Sequence, residues 1–341
     1  MTFDEIVKFI QSHFTDGLLL VVGSGLSSAE GMPGMQALAD HLKAAAPALT
    51  GPDAKLWVDI AAALDAGAGL EAALLKHAPS PTLEVWITAE ICKVLLPKER
   101  EIVSKVIEGK QTLRLTSFLS SVLKPTTGLP ILTPNYERLV EVACEMAGLH
   151  VDTTAIGDYA GVFDHRRSFM RSCRGILHRG KTSALDHCPR AIVLKPHGSF
   201  DWYKGGSAPL RCSIELDAER LMITPGVIKY KAGYDAPFDK HRDLANEYID
   251  KSARLLVVGY GFNDDHLQTH LVTRVQNGIP TLVLTHTPSA KARELAQNSP
   301  NCLCLFQSTK PPGVAILGGS THLECPGKDL WDLGVLTKEL L

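Results

Sequence analysis

Apolar and polar positions along this chain fall into two kinds of stretch: short unbroken apolar runs, and longer segments with helical spacing. From Met1 to Phe14 apolar residues recur at helical intervals among Asp4, Glu5 and Lys8, which predicts an amphipathic helix. Gly17 to Gly23 then reads Leu-Leu-Leu-Val-Val between two glycines, the pattern of a strand buried on both faces. From about Met35 to position 123, Ala and Leu recur at helical spacing, with breaks expected at Pro47, Pro52, Pro79 and Pro97. That stretch predicts four to six helices and no strand. Apolar runs return at Leu129–Thr133, Ala191–Lys195, Arg254–Gly259, Thr281–Thr285 and Cys302–Phe306, the later ones alternating with helical segments. Between Gly157 and Ser183 many Arg, Ser, Gly and His residues follow no period, and a loop-rich insertion near the site is expected there.

A sheet assembled this way needs strands from both before and after the helical stretch. The expected architecture is therefore α/β: a single domain over 1–341, built on a Rossmann-like doubly wound parallel sheet, with a helical module inserted at 35–125. A chain of 341 residues, 45% hydrophobic, can bury a large core. Its 35 Lys and Arg against 37 Asp and Glu leave a formal charge of -2, so no global pull toward nucleic acid is expected. The N-terminus lacks the basic start and apolar stretch of a secretory signal, and the longest apolar runs are far shorter than the roughly 20 residues of a bilayer crossing. A cytoplasmic protein is expected. The eight cysteines show no Cys-x-x-Cys knuckle, which favours reduced structural thiols. A zinc set from Cys173, His178, His187 and Cys188 lacks the close ligand pairs of structural sites, so no metal is expected.

Gly23-Ser24-Gly25-Leu26-Ser27-Ser28 follows the first strand, so the glycines can let backbone approach a pyrophosphate while the next helix points its amides at the charge. A turn that merely ends a strand reads the same way. A dinucleotide-binding oxidoreductase would also show a second strand ending in Asp or Glu about 20 residues on. Here His41 to Thr50 looks helical and then broken, so ordinary dehydrogenase chemistry is not indicated.

Four segments then recur in order: Gly23-Ser-Gly-Leu-Ser27 with Gly31-Met-Pro-Gly-Met35, Thr133-Pro-Asn-Tyr-Glu137, Lys195-Pro-His-Gly-Ser199, and Gly259-Tyr-Gly-Phe-Asn263. Together they resemble the sirtuin family, whose members carry Gly-Ala-Gly-x-Ser with a nearby Gly-Ile-Pro, Thr-Gln-Asn-Ile-Asp, a His-Gly pair, and a late strand ending in Gly-Thr-Ser. The resemblance spans roughly residues 17–285 and is closer to sirtuin-like NAD hydrolases of bacterial antiphage defence, where Thr-x-Asn-Tyr-Asp/Glu, His-Gly-Ser-x-Asp-Trp and Gly-Tyr-Gly/Ser-Phe-x-Asp look typical. Two departures stand out. Deacylases of the family carry Phe-Arg where this chain has Met35-Gln36, and a four-cysteine zinc ribbon that is missing here. Both put peptide deacylation in doubt.

What the resemblance implies for single residues can be set beside what each residue otherwise does. Asn135 sits past an apolar strand, where it either caps the next helix or, as the family implies, orients water or ribose hydroxyls. His197, also at a strand end, is either a packed histidine or the group that takes a proton as nicotinamide leaves. Glu137 matches the Asp that holds the nicotinamide amide, although its longer side chain can also face solvent. Ser24, Ser27 and the backbone of Gly23 and Gly25 would cradle phosphates, and Gly259, Tyr260 and Gly261 would border the adenosine ribose. Asn263 and Asp264 serve equally as helix caps. Trp202 and Tyr203 are read as core.

The resemblance thus implies an NAD glycohydrolase giving ADP-ribose and nicotinamide, with NAD as substrate and no metal. Relatives work as homo-oligomers, some with a partner such as a HerA-type DNA translocase or an Argonaute-like protein, and a homo-oligomer built partly through the helical module is expected. A catalytically silent NAD-binding sensor or scaffold, and a deacylase or ADP-ribosyltransferase, are the competing readings.

Overall fold

The computed structural model describes residues 1–122, 127–224, 235–262 and 265–341. In chain order, the helix Phe3–Ser12 is followed by β1 (Leu18–Val22) and the short helix Ser24–Ala29. Helices Met35–Ala45, Gly51–Asp65, Leu70–Lys76, Pro81–Ile107 and Arg114–Ser121 come next, five in all with one short 3-10 turn at Ala46–Ala48. Among the described residues from 35 to 121 there is no strand, as the spacing predicts. The expected break at Pro97 is corrected: Pro81–Ile107 runs through it. A proline there costs about 3 kcal/mol, which the buried face of Leu83, Ile87, Ile91, Leu95, Leu96, Ile102 and Val106 outweighs. At Pro79 the break is real, since Ser80 caps the following helix by accepting from the Leu83 N–H.

Strands resume with β2 (Leu129–Leu132), and after the helix Leu139–Met146 come β3 (His150–Asp152), β4 (Ala155–Ile156) and β5 (Ala160–Phe163). The helix His165–Arg171 leads to a hairpin of β6 (Cys173–Arg179) and β7 (Thr182–His187). The loop-rich reading of 157–183 is thereby corrected. Its strands are largely exposed, apolar Val162, Ile176 and Leu177 included, so they bury no stripe and leave no period to read. Then follow β8 (Arg190–Leu194), β9 (Gly198–Tyr203), β10 (Leu210–Cys212) and β11 (Arg220–Met222). The helix Phe238–Lys251, β12 (Arg254–Val258), the helix Asp265–Gln276, β13 (Thr281–Thr285) and the helix Ala290–Asn298 alternate as expected. The chain closes with β14 (Cys302–Thr309), β15 (Pro312–Gly318), β16 (Thr321–Pro326) and the helix Leu333–Leu340.

The main sheet has the order β16-β15-β14-β13-β12-β1-β2-β8-β3. From β14 to β3 every pairing is parallel, and β15 and β16 add an antiparallel edge. From β1 the chain proceeds to β2 and β8 on one side and to β12, β13 and β14 on the other, which makes the sheet doubly wound with its switch point at β1 and β12. Leu18, Leu20 and Val22 of β1 pack into the core on one face, and Leu19 and Val21 into the core on the other. Both faces are covered, which is why the strands read as continuous apolar runs. A second sheet, β11-β9-β10-β5-β4, is antiparallel. Among the described residues no helix is long and apolar enough to cross a membrane.

Candidate active site

The four motif segments follow β1, β2, β8 and β12, which are consecutive neighbours in the sheet (β12-β1-β2-β8), so the fold delivers all four to one carboxyl edge. In doubly wound sheets ligands sit in the crevice at this edge and at the switch point.

Backbone packing builds the first half of the crevice. The Gly23 N–H donates to Val258 O and the Gly25 N–H to Gly259 O, each at 2.9 Å. A Cβ on Gly23 would lie 2.4 Å from Gly259 O, one on Gly25 2.7 Å from the Gly259 Cα, and one on Gly259 2.4 Å from the Leu26 N. Gly259 also has φ +62°, a conformation that favours glycine. These glycines let two strand ends touch each other. The Gly25 N–H is thus already donated within the protein, and a packing role stands beside the phosphate role that the resemblance implies. Ser24 remains exposed beside the cavity. Tyr260 is buried against Phe262, ring centroids 5.3 Å apart, and lines the cavity with Gly259 and Gly261. Asn263 and Asp264 lie outside the described residues, as do positions 123–125 of the helical stretch.

Side chains build the second half. The Thr133 N–H donates to Leu194 O, and the Asn135 N–H to Thr133 Oγ1 at 3.2 Å, which turns the chain off β2. The next helix begins only at Leu139, so Asn135 does not cap it. The Asn135 amide instead donates to Glu137 Oε1 (2.9 Å) and Ser27 Oγ (3.0 Å), and the Ser27 hydroxyl donates to Glu137 Oε1. With both amide hydrogens given away, the Asn135 carbonyl oxygen is its free acceptor. Glu137, at 5% exposure, does not face solvent. His197 is buried and stands where the chain leaves the main sheet for the second one. Gly198 makes that turn at φ +87°, with no room for a Cβ against Leu221 O at 2.2 Å, and His197 O accepts from the Ile223 N–H.

Asn135, Glu137 and His197 line one cavity of about 250 Å³ with Ser24, Ser27 and the backbone of Gly259 to Gly261. Met32, Pro33, Gly34, Met35, Leu38, Leu95 and Glu71 wall its other side, the last four contributed by the long helical stretch. Past the glycine turn a cavity of about 750 Å³ shares Ser24, Gly259 and Gly261 with the first and is lined by Thr285 to Ser289 and Trp331. Glu71 and Leu95 carry no sequence signal that separates them from other helical positions.

Beneath the Asn135 loop lies a buried charged layer that composition does not reveal. Lys195, 2% exposed, pairs with Glu141 at 3.0 Å and donates to Glu137 O. Burial pushes the Glu141 carboxyl up, Lys195 opposes that, and Asp201 adds to it. Burial would also raise Asp201, but Arg211 at 2.7 Å, with Lys195 and Ser199, outweighs it and holds the carboxyl low. His241 accepts from the Lys195 N–H and meets Thr154 Oγ1 at 2.8 Å, and complete burial, aided by Lys195, pushes its imidazole down to about 3. Trp202 and Tyr203 are core, with Trp202 packed on Phe163, Phe238 and His241. Of the zinc candidates, His187 pairs with Ser172 and His178 with Ser183, all eight cysteines are free, and no metal-holding group of His, Cys, Asp or Glu occurs among the described residues.

No family model matches the chain, and no curated protein matches it. Solved structures do. A Sir2 mutant with a peptide and NAD is similar at TM-score 0.45 and 9% identity, covering 100% of this chain and 97% of its own. A Sir2 homologue in complex with NAD gives 0.43 and 13%, over 100% and 93%. A Sir2 homologue mutant with ADP-ribose gives 0.39 and 14%, over 88% and 91%.

Proposed function

We propose that the chain is an NAD glycohydrolase that cleaves the nicotinamide–ribose bond to give ADP-ribose and nicotinamide. The observation that carries this reading is the convergence of Asn135, Glu137 and His197 on one small cavity, joined over the glycine turn to a larger one. A small, largely apolar pocket with a few converging polar groups, sharing Ser24, Gly259 and Gly261 with a larger groove, suits a ligand with a reactive head and a long body. Glu137 would accept from the nicotinamide carboxamide, and the larger cavity would hold the adenosine end. The bond electrons leave with nicotinamide, which quenches its positive charge and leaves an oxocarbenium-like ribose. Water held by the Asn135 carbonyl oxygen then adds to the anomeric carbon, and His197 takes the proton.

The finer parts of the proposal rest on the motif resemblance: an effector of antiphage defence in the cytoplasm, one catalytic domain over 1–341 with its helical insertion at 35–125, assembled as a homo-oligomer and held in check until a partner binds or the assembly rearranges. Incubation of the purified protein with NAD, alone and with proteins encoded beside it, followed by chromatography, tests the activity. Equal amounts of ADP-ribose and nicotinamide are expected. NAD left intact under every condition, or converted to the reduced form, would overturn it.

A further inference from the structure

The Asn135 loop is held by donors from the strand-to-strand turn that carries His197. Lys195 Nζ donates to Glu137 O and lies 3.5 Å from Tyr136 O. The Ser199 hydroxyl and the Phe200 N–H both donate to Tyr136 O at 3.1 Å. Lys195 stands two residues before His197 and Ser199 two residues after it, so one short segment presents the histidine and grips the backbone of the opposite loop. Lys195 is fully buried, 3.0 Å from the equally buried Glu141, and an ammonium in such a place is costly unless it is needed or well paired. Its hydrogens go to the loop carbonyls and to one carboxylate on the helix that the loop begins.

We propose that Lys195, seconded by Ser199, is a positioning residue: it fixes the carbonyls of Tyr136 and Glu137 and thereby sets the distance between the Asn135 amide and His197. This rests on the glycohydrolase reading. A catalytic constellation has to be held within about 0.5 Å of its productive geometry, and a charge-assisted donor to a main-chain carbonyl does so without entering the cavity.

A purely structural ion pair makes a different prediction, and a double variant separates the two. K195M alone strands a buried carboxylate and will lower the melting temperature. K195M/E141L replaces the pair with apolar groups of similar size, an exchange that is often neutral or stabilising. The double variant should melt within a few degrees of wild type and bind ADP-ribose within about threefold of it, since the ADP end lies away from the loop, yet lose on the order of 30-fold or more in kcat for NAD. S199A, a smaller change, should lose severalfold in kcat with a fall of only a few degrees in melting temperature. Recovery of wild-type kcat along with stability in the double variant would overturn the positioning role while leaving the glycohydrolase reading intact. A wild-type protein that never cleaves NAD would remove both.

Discussion

The two halves of the crevice are built by opposite means. On the β1 and β12 side, Gly23, Gly25 and Gly259 press backbone against backbone, and the hydrogen bonds run between main-chain groups. On the β2 and β8 side, buried charges do the same work: Lys195 and Glu141 hold a loop through its carbonyls and its first helical turn, and the Asp201–Arg211 pair adds to their field. A backbone contact of this kind tolerates no added atom and is indifferent to pH. A charged layer tolerates changes of shape when its members change together, but depends on protonation. Ser27 spans the divide, since it sits on the helix after the glycine turn and bonds Asn135 and Glu137.

The largest effect should come from the glycine half. Gly259→Ala adds a strained φ to a 2.4 Å backbone clash, so a loss above about 4 kcal/mol is expected, seen as insoluble protein or collapse of the thermal transition. A soluble Gly259→Ala protein with a normal melt would show that the two strand ends need not touch. Next, His197→Ala and Asn135→Ala should each lower NAD cleavage by roughly 10²- to 10⁴-fold with the fold unchanged by circular dichroism, because each removes one chemical role from a preformed cavity. Turnover near wild type in either variant would unseat the assignment.

The charged half should reveal itself in acid. His241 is neutral in the fold, with its pKa pushed to about 3 from an ordinary value near 6.5. The unfolded chain therefore binds a proton that the folded chain refuses as pH falls below 6.5. The stability tied to this neutral ring is complete above 6.5 and is lost toward pH 3 by about 1.4 kcal/mol per unit. Melting temperature measured from pH 7 to pH 4 should fall accordingly, and His241→Gln should flatten the slope. An unchanged slope would place the acid sensitivity elsewhere. The smallest effect is expected at the bridge between the halves: Ser27→Ala should cost about 1 kcal/mol in a denaturant titration, with a severalfold loss of kcat.

Much of the candidate site was legible because strand ends announce themselves. Asn135 and His197 each follow an apolar run, and the helix-cap alternative for Asn135 fails only because the next helix starts at Leu139, four residues further on. Lys195 was visible as a lysine closing an apolar strand, but nothing local distinguishes an exposed lysine from one turned inward onto Glu137 O and Glu141. The roles of Gly23 and Gly25 were also hidden. A glycine that admits a ligand and a glycine that admits another strand have the same neighbours in sequence.

By itself the sequence determined six of the seven parallel strands of the main sheet, all but the three-residue β3. Strands covered on both faces must be apolar throughout, so β1, β2, β8, β12, β13 and β14 were readable wherever such a run lay between turn residues. Only the tertiary structure decided the rest. The second sheet uses strands as short as Ala155–Ile156, and β9 within it alternates Ser199-Phe200-Asp201-Trp202 yet is buried throughout, so its pattern does not disclose that both faces are covered. The helix through Pro97 persists because packing along its length outweighs one lost hydrogen bond. The placement of four motifs on four adjacent strands depends on strand order, which follows from pairings between residues far apart in the chain, from Leu129 with Ala191 to Leu20 with Leu256. Short-range patterns set which segments can be strands; long-range contacts set which strands become neighbours.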